Sequence, residues 1–563
     1  MKTLRRIFAI AMCAAAALTA VACGNVEPAE KTVAEIQFTR VGYGGEWVEE
    51  LGKAFNEEYA KRGYAVSTKK MSGSLDVELA KPKKNTTDLY IFSGNMDLIG
   101  LVNKSISILK TRDSVLLEDL TESFYNSYAI GKGGKQESVK IKDKMREEAL
   151  QYTQYYGVDA KWQGRNFTVP WVNAVTGFIV DKSLLKNEFG LDIPVTTAEL
   201  KEDCDLIRNS GTGISPVATG MTDSYNYWNY VTNVWWAQYS GAEKWENFYK
   251  TVPEEGTMEE NGYEVYNDDG MEYAFKTLFE VFTKDNSPAG SEEWGSADVS
   301  NSIYGGTSVF VVSGDWSTSH IEEAYPEKAG DMILMKTPII SELGVKLRLD
   351  GSTSGEANAA KCEEVLRKTV RAIDDGKTNA AIISEITADC GATLTADKIE
   401  ALRVARGIYY DLGYCHQCLI PSFAQEKDVA LLFLKFMVSD DGIAIFRKYA
   451  RAGLPFESAE PEFDENSCEM QKNAFDIAKG EYAYSLCEND GFSVLRAVSG
   501  LRKFDGDYWN VNYLSFHDGI LNATEKSGLT DEEKAIQAAK KFREYEYNLA
   551  KDRWASLVGI SGL

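Results

Sequence analysis

Gly305-Gly306-Thr307-Ser308-Val309-Phe310-Val311-Val312-Ser313-Gly314-Asp315-Trp316 is the stretch whose reading decides the fold. Ser308 to Val312 reads as a strand, and the residues that follow it are small and polar until a tryptophan ends the run. An earlier segment repeats the theme. Ala34 to Val41 alternates as a strand, Gly42-Tyr43-Gly44-Gly45 makes a turn, and Trp47, Leu51, Ala54, Phe55 and Tyr59 recur at helical spacing. Tyr64 to Met71 reads as a second strand, and Asp88-Leu89-Tyr90-Ile91-Phe92 as a third, buried one. Strands alternating with helices imply a parallel sheet, where ligands sit beyond the carboxyl ends of the strands. That rule points to Tyr43 to Trp47 and to Ser93 to Asp97.

Further along, Val175 to Val180 reads as a strand and Lys182 to Phe189 as a helix. Thr196-Thr197-Ala198-Glu199 fits a capping box, so the next helix should begin at Thr197. Helical spacing also marks 224–239, 242–249, 270–282, 356–373, 396–412, 427–438, 442–449 and 531–557. No fixed internal period suggests a solenoid.

The chain has 563 residues, 44% of them hydrophobic and 26% charged, enough for two to four domains at roughly 150 residues each. Its 85 acidic side chains outnumber 61 basic ones, a net charge of −24 that repels a phosphate backbone. Nucleic acid is thereby excluded as a partner, and so is an anionic headgroup as what the folded body recognises. Lys2, Arg5 and Arg6 precede an apolar run from Ile7 to Val21, and Ala20-Val21-Ala22-Cys23 follows the pattern of a lipoprotein signal. Cys23 would carry the acyl chains, two of which are needed for stable anchoring. Removal of residues 1–22 leaves 58 basic groups against 85 acidic ones, a net of −27. Seven cysteines remain beyond Cys23, an odd number that leaves at least one thiol unpaired.

The order of three motif groups carries a resemblance. Phe167-Thr168-Val169-Pro170-Trp171 through Gly177-Phe178-Ile179-Val180-Asp181-Lys182 comes first, with Gly190-Leu191-Asp192-Ile193-Pro194 and the capped helix. The Gly305 to Trp316 strand, with Pro338 beyond it, comes second. Ala430 to Phe436, Ser439 and Gly453-Leu454-Pro455 come third. Together they resemble the bacterial extracellular solute-binding proteins of family 1, the carbohydrate-binding class, over roughly residues 33–460. The resemblance implies an α/β, periplasmic-binding-protein-like type II fold, two lobes joined by crossing hinge segments, here with extra helices. It implies crossings near Pro170 and Pro338. The divisions expected are a signal peptide 1–22, a tether 23–32, lobe one from 33–170, lobe two from 171–336, a return to lobe one at 337–460 with a helical insertion at 356–412, and a C-terminal helical region, 461–563, packed on the lobes.

Such a protein binds its guest in the cleft without chemistry, uses no cofactor, and hands the guest to the permease subunits of an ABC transporter. The chain is then a monomer, on the extracellular face of the cell membrane and held there by its lipid anchor alone. A sugar presents an apolar face and a rim of hydroxyls, so its site pairs aromatic planes with short polar groups. Trp316 matches the platform aromatic of the family. Asp315 either accepts hydroxyls or caps the next helix. Asn95 sits where relatives carry a polar residue, Tyr43 and Glu46 occupy the first strand-to-helix loop, and Trp171 and Asn173 lie at the crossing. Trp228 shares a helix face with Trp235, a spacing that equally fits core.

Other chemistries find little support. Cys415-His416-Gln417-Cys418 has no second ligand pair for zinc and reads as a local disulfide or free thiols. Gly351-Ser352-Thr353-Ser354-Gly355 lacks the serine of a nucleophile elbow. With three histidines, an imidazole-based enzyme is poorly supplied. Two alternatives stay open: a secreted glycan-degrading enzyme using paired carboxylates, and a receptor for a cationic solute such as a polyamine.

Overall fold

The computed structural model describes residues 31–94, 98–111, 114–151, 153–155, 159–218, 227–457, 463, 468–487 and 530–561. The signal segment, Cys23 and Asn95 lie outside them.

Two sheets organise the chain. The first has the order β2-β1-β3-β12-β6, from β1 (Thr32–Phe38), β2 (Tyr64–Lys70), β3 (Leu89–Ser93), β6 (Val169–Pro170) and β12 (His416–Leu419). β1 pairs in parallel with β2 and β3, as the strand–helix alternation predicts, whereas β12 runs antiparallel to β3 and β6. The second sheet runs β13-β11-β7-β9-β8, with β7 (Val175–Asp181), β8 (Ser215–Ala218), β9 (Ser308–Gly314), β11 (Ile408–Asp411) and β13 (Tyr484–Leu486). A further strand, β10 (Met332–Met335), pairs with β7. A small hairpin of β4 (Tyr128–Ile130) and β5 (Gln136–Lys140) lies apart from both. All seven residues of β7 and of β9 are buried, because helices cover both faces of this sheet.

Each sheet has its own apolar core. Ile36, Trp47, Leu51, Phe55, Trp171, Phe433 and Phe446 pack around the first sheet, and Phe178, Val231, Trp235, Phe275 and Phe310 pack on the second. The helix Glu46–Tyr59 presents Trp47, Val48, Leu51, Phe55 and Tyr59 to the first core at the spacing expected for one buried face. Thr196 caps the helix Thr197–Asn209 by accepting from the Glu199 amide. Glu199 does not complete the box, since its carboxylate takes the Val195 amide and Arg371 instead.

The chain crosses between sheets at 171–174, between β6 and β7, and returns at 412–415, between β11 and β12. The return expected at Pro338 is therefore corrected. A proline ends a strand, but the next strand goes where a partner edge is open, and β11 pairs antiparallel with β7. The chain thus stays with the second sheet from Val175 to Asp411. The inserted segment holds three helices, Ala359–Asp374, Asn379–Cys390 and Ala396–Gly407, where the sequence suggested a pair, and all three pack into the second core. None of the seven cysteines among the described residues forms a disulfide, Cys415 and Cys418 included.

The helix Asp531–Ser561 lies against the helix Asp269–Val281 through Ala535, Ala538, Ala539 and Phe542. It also buries Glu546 to 2% exposure with one carboxyl oxygen lacking a partner. Burial alone pushes this carboxyl well above its usual 4.5. The folded chain keeps a proton that the unfolded chain releases, so stability from this residue is present in acid and is lost as pH rises. Glu546→Gln should therefore raise the thermal midpoint at pH 8, by an amount equivalent to about 1–3 kcal/mol, with the advantage shrinking toward pH 4. A gap that does not change with pH in thermal unfolding contradicts this.

Candidate functional site

The carboxyl ends of β1 and β9 face each other across the two lobes. Gly42, one turn beyond β1, approaches so closely that an added Cβ would come within 2.8 Å of the Trp316 Cβ. At Gly314 an added Cβ would collide with the indole itself, at 2.2 Å. Glycine at both positions lets Trp316 lie in the seam, half-buried and packed against both cores. Its ring sits edge-on to Tyr43, Tyr227 and Tyr230, with centroids 6.5, 6.2 and 6.3 Å away.

Tyr43 and Asp315 join the lobes. The Tyr43 hydroxyl donates to Asp315 Oδ1 at 2.5 Å, with both residues only 2% exposed. Burial pushes the Asp315 carboxyl up to about 8, helped by the nearby charge of Asp411 and opposed by the hydrogen bond from Tyr43. The Tyr43 hydroxyl is also raised well above its ordinary value, first by burial and then by Asp315. Asp315 does not cap the following helix with its side chain; Trp316 occupies the cap position.

Around this pair lies a closed aromatic layer. Trp171 donates its indole N–H to the Phe92 carbonyl at 2.9 Å and stacks at a tilt on Trp47, 5.0 Å away. His416 meets Tyr43 and Trp171 edge-on at 5.4 and 4.9 Å. Its Nδ1 donates to the Leu412 carbonyl at 3.0 Å, and burial pulls its pKa down to about 4, so the ring is neutral. Asn173 accepts from Tyr409 Oη at 3.3 Å, and the same oxygen accepts from Arg146 at 3.3 Å. A further tie runs from Arg451 to Glu322, at 2.9 Å.

Between the lobes opens a cavity of about 480 Å³. Arg40, Gly42 and Gly44 line it from the first lobe, while Tyr227, Tyr304 and Trp316 supply aromatic surface from the second. Five serines, Ser296, Ser300, Ser313, Ser317 and Ser319, add hydroxyls, and His320 and Glu323 stand among them. Aromatic faces beside short donors and acceptors can hold a polar ring with one apolar face.

The structure distributes the expected site residues unevenly. Trp316 lines the cavity. Tyr43 and Asp315 lie behind it as an interlobe bond, and Trp171 and Asn173 form the crossing. Glu46 is exposed in the first turn of its helix and is not among the residues lining the cavity. Trp228 is a correction of the opposite kind: it is buried in the second core with its ring 6.0 Å from Phe275, and its neighbour Tyr227 faces the cavity instead. Tyr304 and His320 went unread. His320 is one helical turn beyond Trp316, a spacing that puts both on one face and was the available signal.

No family model matches the chain, and no curated protein does. Solved structures share its fold at low sequence identity. A chitin oligosaccharide binding protein aligns with a TM-score of 0.52 and 14% identity over 92% of this chain and 99% of its own. A probable secreted solute-binding lipoprotein from Streptomyces coelicolor gives 0.51 and 10% identity over 92% and 98%. The bacterial solute receptor AcbH, described as having an exclusive preference for β-D-galactopyranose, gives 0.50 and 10% over 92% and 99%.

Because Asp315 is raised, the stability it lends is held in acid and is lost as pH climbs from its ordinary 3.8 through about 8. Thermal stability should therefore fall between about pH 4 and pH 8 and level off above that, and Asp315→Asn should flatten the trend in thermal unfolding. Tyr43→Phe should cost about 1–3 kcal/mol at pH 7 by leaving the carboxyl without its donor. An unchanged midpoint in Tyr43→Phe contradicts the role given to this bond. The chain has the two-lobed α/β fold of the bacterial solute-binding proteins.

Proposed function

We propose that this chain is an extracellular receptor that captures a carbohydrate, an oligosaccharide by preference, between its lobes and delivers it unaltered to an ABC permease. The observation that carries the reading is the interlobe cavity, in which Trp316 and two tyrosines stand beside five serine hydroxyls. Its volume lies within the range of sites that enclose a small organic guest. The oligosaccharide and galactose receptors with this fold support the sugar class, since what they hold sits naturally on such a surface. Closure matters for delivery, because a transporter must tell a loaded receptor from an empty one.

The two alternatives are less well served. Hydrolysis of a glycosidic bond calls for two carboxylates facing the same guest, separated by about 5–9.5 Å. Among the described residues that line the cavity, Glu323 is the single carboxylate. Asp315 is committed to Tyr43 instead. A cationic guest also wants several carboxylates, whereas the described lining has one, Glu323, together with the cation Arg40.

Attachment to the membrane belongs to the same proposal and rests on the N-terminal residues through Cys23. Among the described residues no helix is long and apolar enough to cross a membrane. Cys23→Ser should shift the protein from the membrane fraction of expressing bacteria to the soluble one; retention in the membrane fraction overturns the anchor.

A saccharide panel read by calorimetry tests the receptor. Binding should be saturable, with the sugar recovered intact by mass spectrometry. Trp316→Ala should weaken it by about 1–3 kcal/mol, roughly tenfold to a hundredfold. Shortened products, or full affinity in Trp316→Ala, would sink the reading.

A further inference from the structure

The turn that follows the helix Asp440–Ala450 begins with an arginine in a conformation that favours glycine. Arg451 has φ 58° and ψ 24°, and its amide donates to the Arg447 carbonyl at 3.2 Å to close the helix. A left-handed residue at this place is usually glycine, because a Cβ crowds the following carbonyl. Among the described residues four non-glycine residues take such a φ, and Arg451 is the one whose side chain is paired across the lobes. The turn is held from both sides. Ala450, Ala452 and Leu454 are buried in the first core, and the Gly453 carbonyl accepts from the Asn173 amide at 2.9 Å, at the crossing. Its conformation is thus set by packing and not by the preference of its residues.

Arg451 Nε meets the carboxylate of Glu322, in the second lobe, at 2.9 Å. Glu322 belongs to the helix Ser317–Ala324, and Ser317, Ser319, His320 and Glu323 of that helix line the interlobe cavity. One short helix therefore faces the guest space with some side chains and grips the first lobe with another. The two partners are partly exposed, 41% and 20% of their side chains, so the pair adds little to the stability of the fold as such. A strained backbone that presents a charge of small structural worth points to a use in the motion of the lobes.

We propose that Arg451 and Glu322 form a clasp that sets how readily the lobes part, and so how long a guest stays enclosed. The Tyr43 bond is buried beyond the reach of salt, whereas the clasp is half-open to it, so the two restraints answer to different conditions. A guest that steadies the Ser317–Ala324 helix from the cavity side also steadies Glu322 against Arg451, which makes the clasp firmer in the loaded receptor. That consequence rests on the sugar-receptor reading; the clasp itself does not.

Hydrogen–deuterium exchange of the full chain without a guest tests the clasp. In Arg451→Gly the amides of 171–174 and 317–323 should exchange at least twofold faster, while the thermal midpoint stays level or rises because glycine suits the turn. Glu322→Gln should give the same acceleration, and the double variant no more than either single one. Raising chloride from about 0.05 M to about 0.5 M should quicken exchange in the unaltered chain and leave the double variant unchanged. For each saccharide that the calorimetric panel finds to bind, release should quicken about two- to fivefold in both single variants. Unchanged exchange in Arg451→Gly overturns the proposal, and so do single effects that multiply in the double variant, or faster exchange that comes with a lowered midpoint. If no saccharide binds and Arg451→Gly still exchanges faster, the receptor reading falls and the clasp stands.

Discussion

A buried tyrosine hydroxyl bound to a buried carboxyl, Tyr43 on Asp315, is the constraint around which the lobes are arranged. Each group comes from the loop at the carboxyl end of a strand, one in each sheet. Neither has water to fall back on, so each needs the other. That requirement fixes the approach of β1 to β9, brings Gly42 against Trp316, and sets the mouth of the cavity. Interlobe bond and cavity wall are thus consecutive residues of one segment, Asp315 and Trp316. Any motion that parts the lobes must break the first and move the second.

Crossings between the sheets make such a motion possible. The chain passes at 171–174 and 412–415, where aromatic contacts hold it in place, and crosses a third time between β12 and β13. Trp171 is pinned by the Phe92 carbonyl on the first sheet, and Asp411 takes the Ala174 and Gly413 amides at the second. Among the described residues, two further ties between the lobes stand out. Tyr409 with Asn173 and Arg146, and Arg451 with Glu322, are long or half-exposed, whereas the Tyr43 bond is short and fully buried.

Much of the fold was legible because it depends on local pattern. The run Val309 to Val312 and the alternation from Ala34 announce strands, and Thr196 announces a helix start, all within a few residues of what the structure has. Trp316, which lines the cavity, was legible as a candidate because it directly follows a strand and matches the platform aromatic that the resemblance implies. What could not be read was pairing over distance. Tyr43 and Asp315 are 272 residues apart, and nothing local in either says the other exists. The return crossing was misplaced at Pro338 for the same reason: which sheet accepts β11 is settled by an open edge on β7. Trp228 and Tyr227 differ by one position on a helix, about 100° of rotation, and apolar spacing alone does not say which of the two faces the cleft.

Hydrogen–deuterium exchange with and without a bound saccharide tests the central claim most directly, since it watches both lobes at once. The account predicts that backbone amides of 40–44 and of 313–320 gain protection together, on one guest, while the outer faces of both sheets stay unchanged. Protection on one lobe only, or at neither of these segments, would contradict a guest enclosed between Trp316 and the loop of Tyr43.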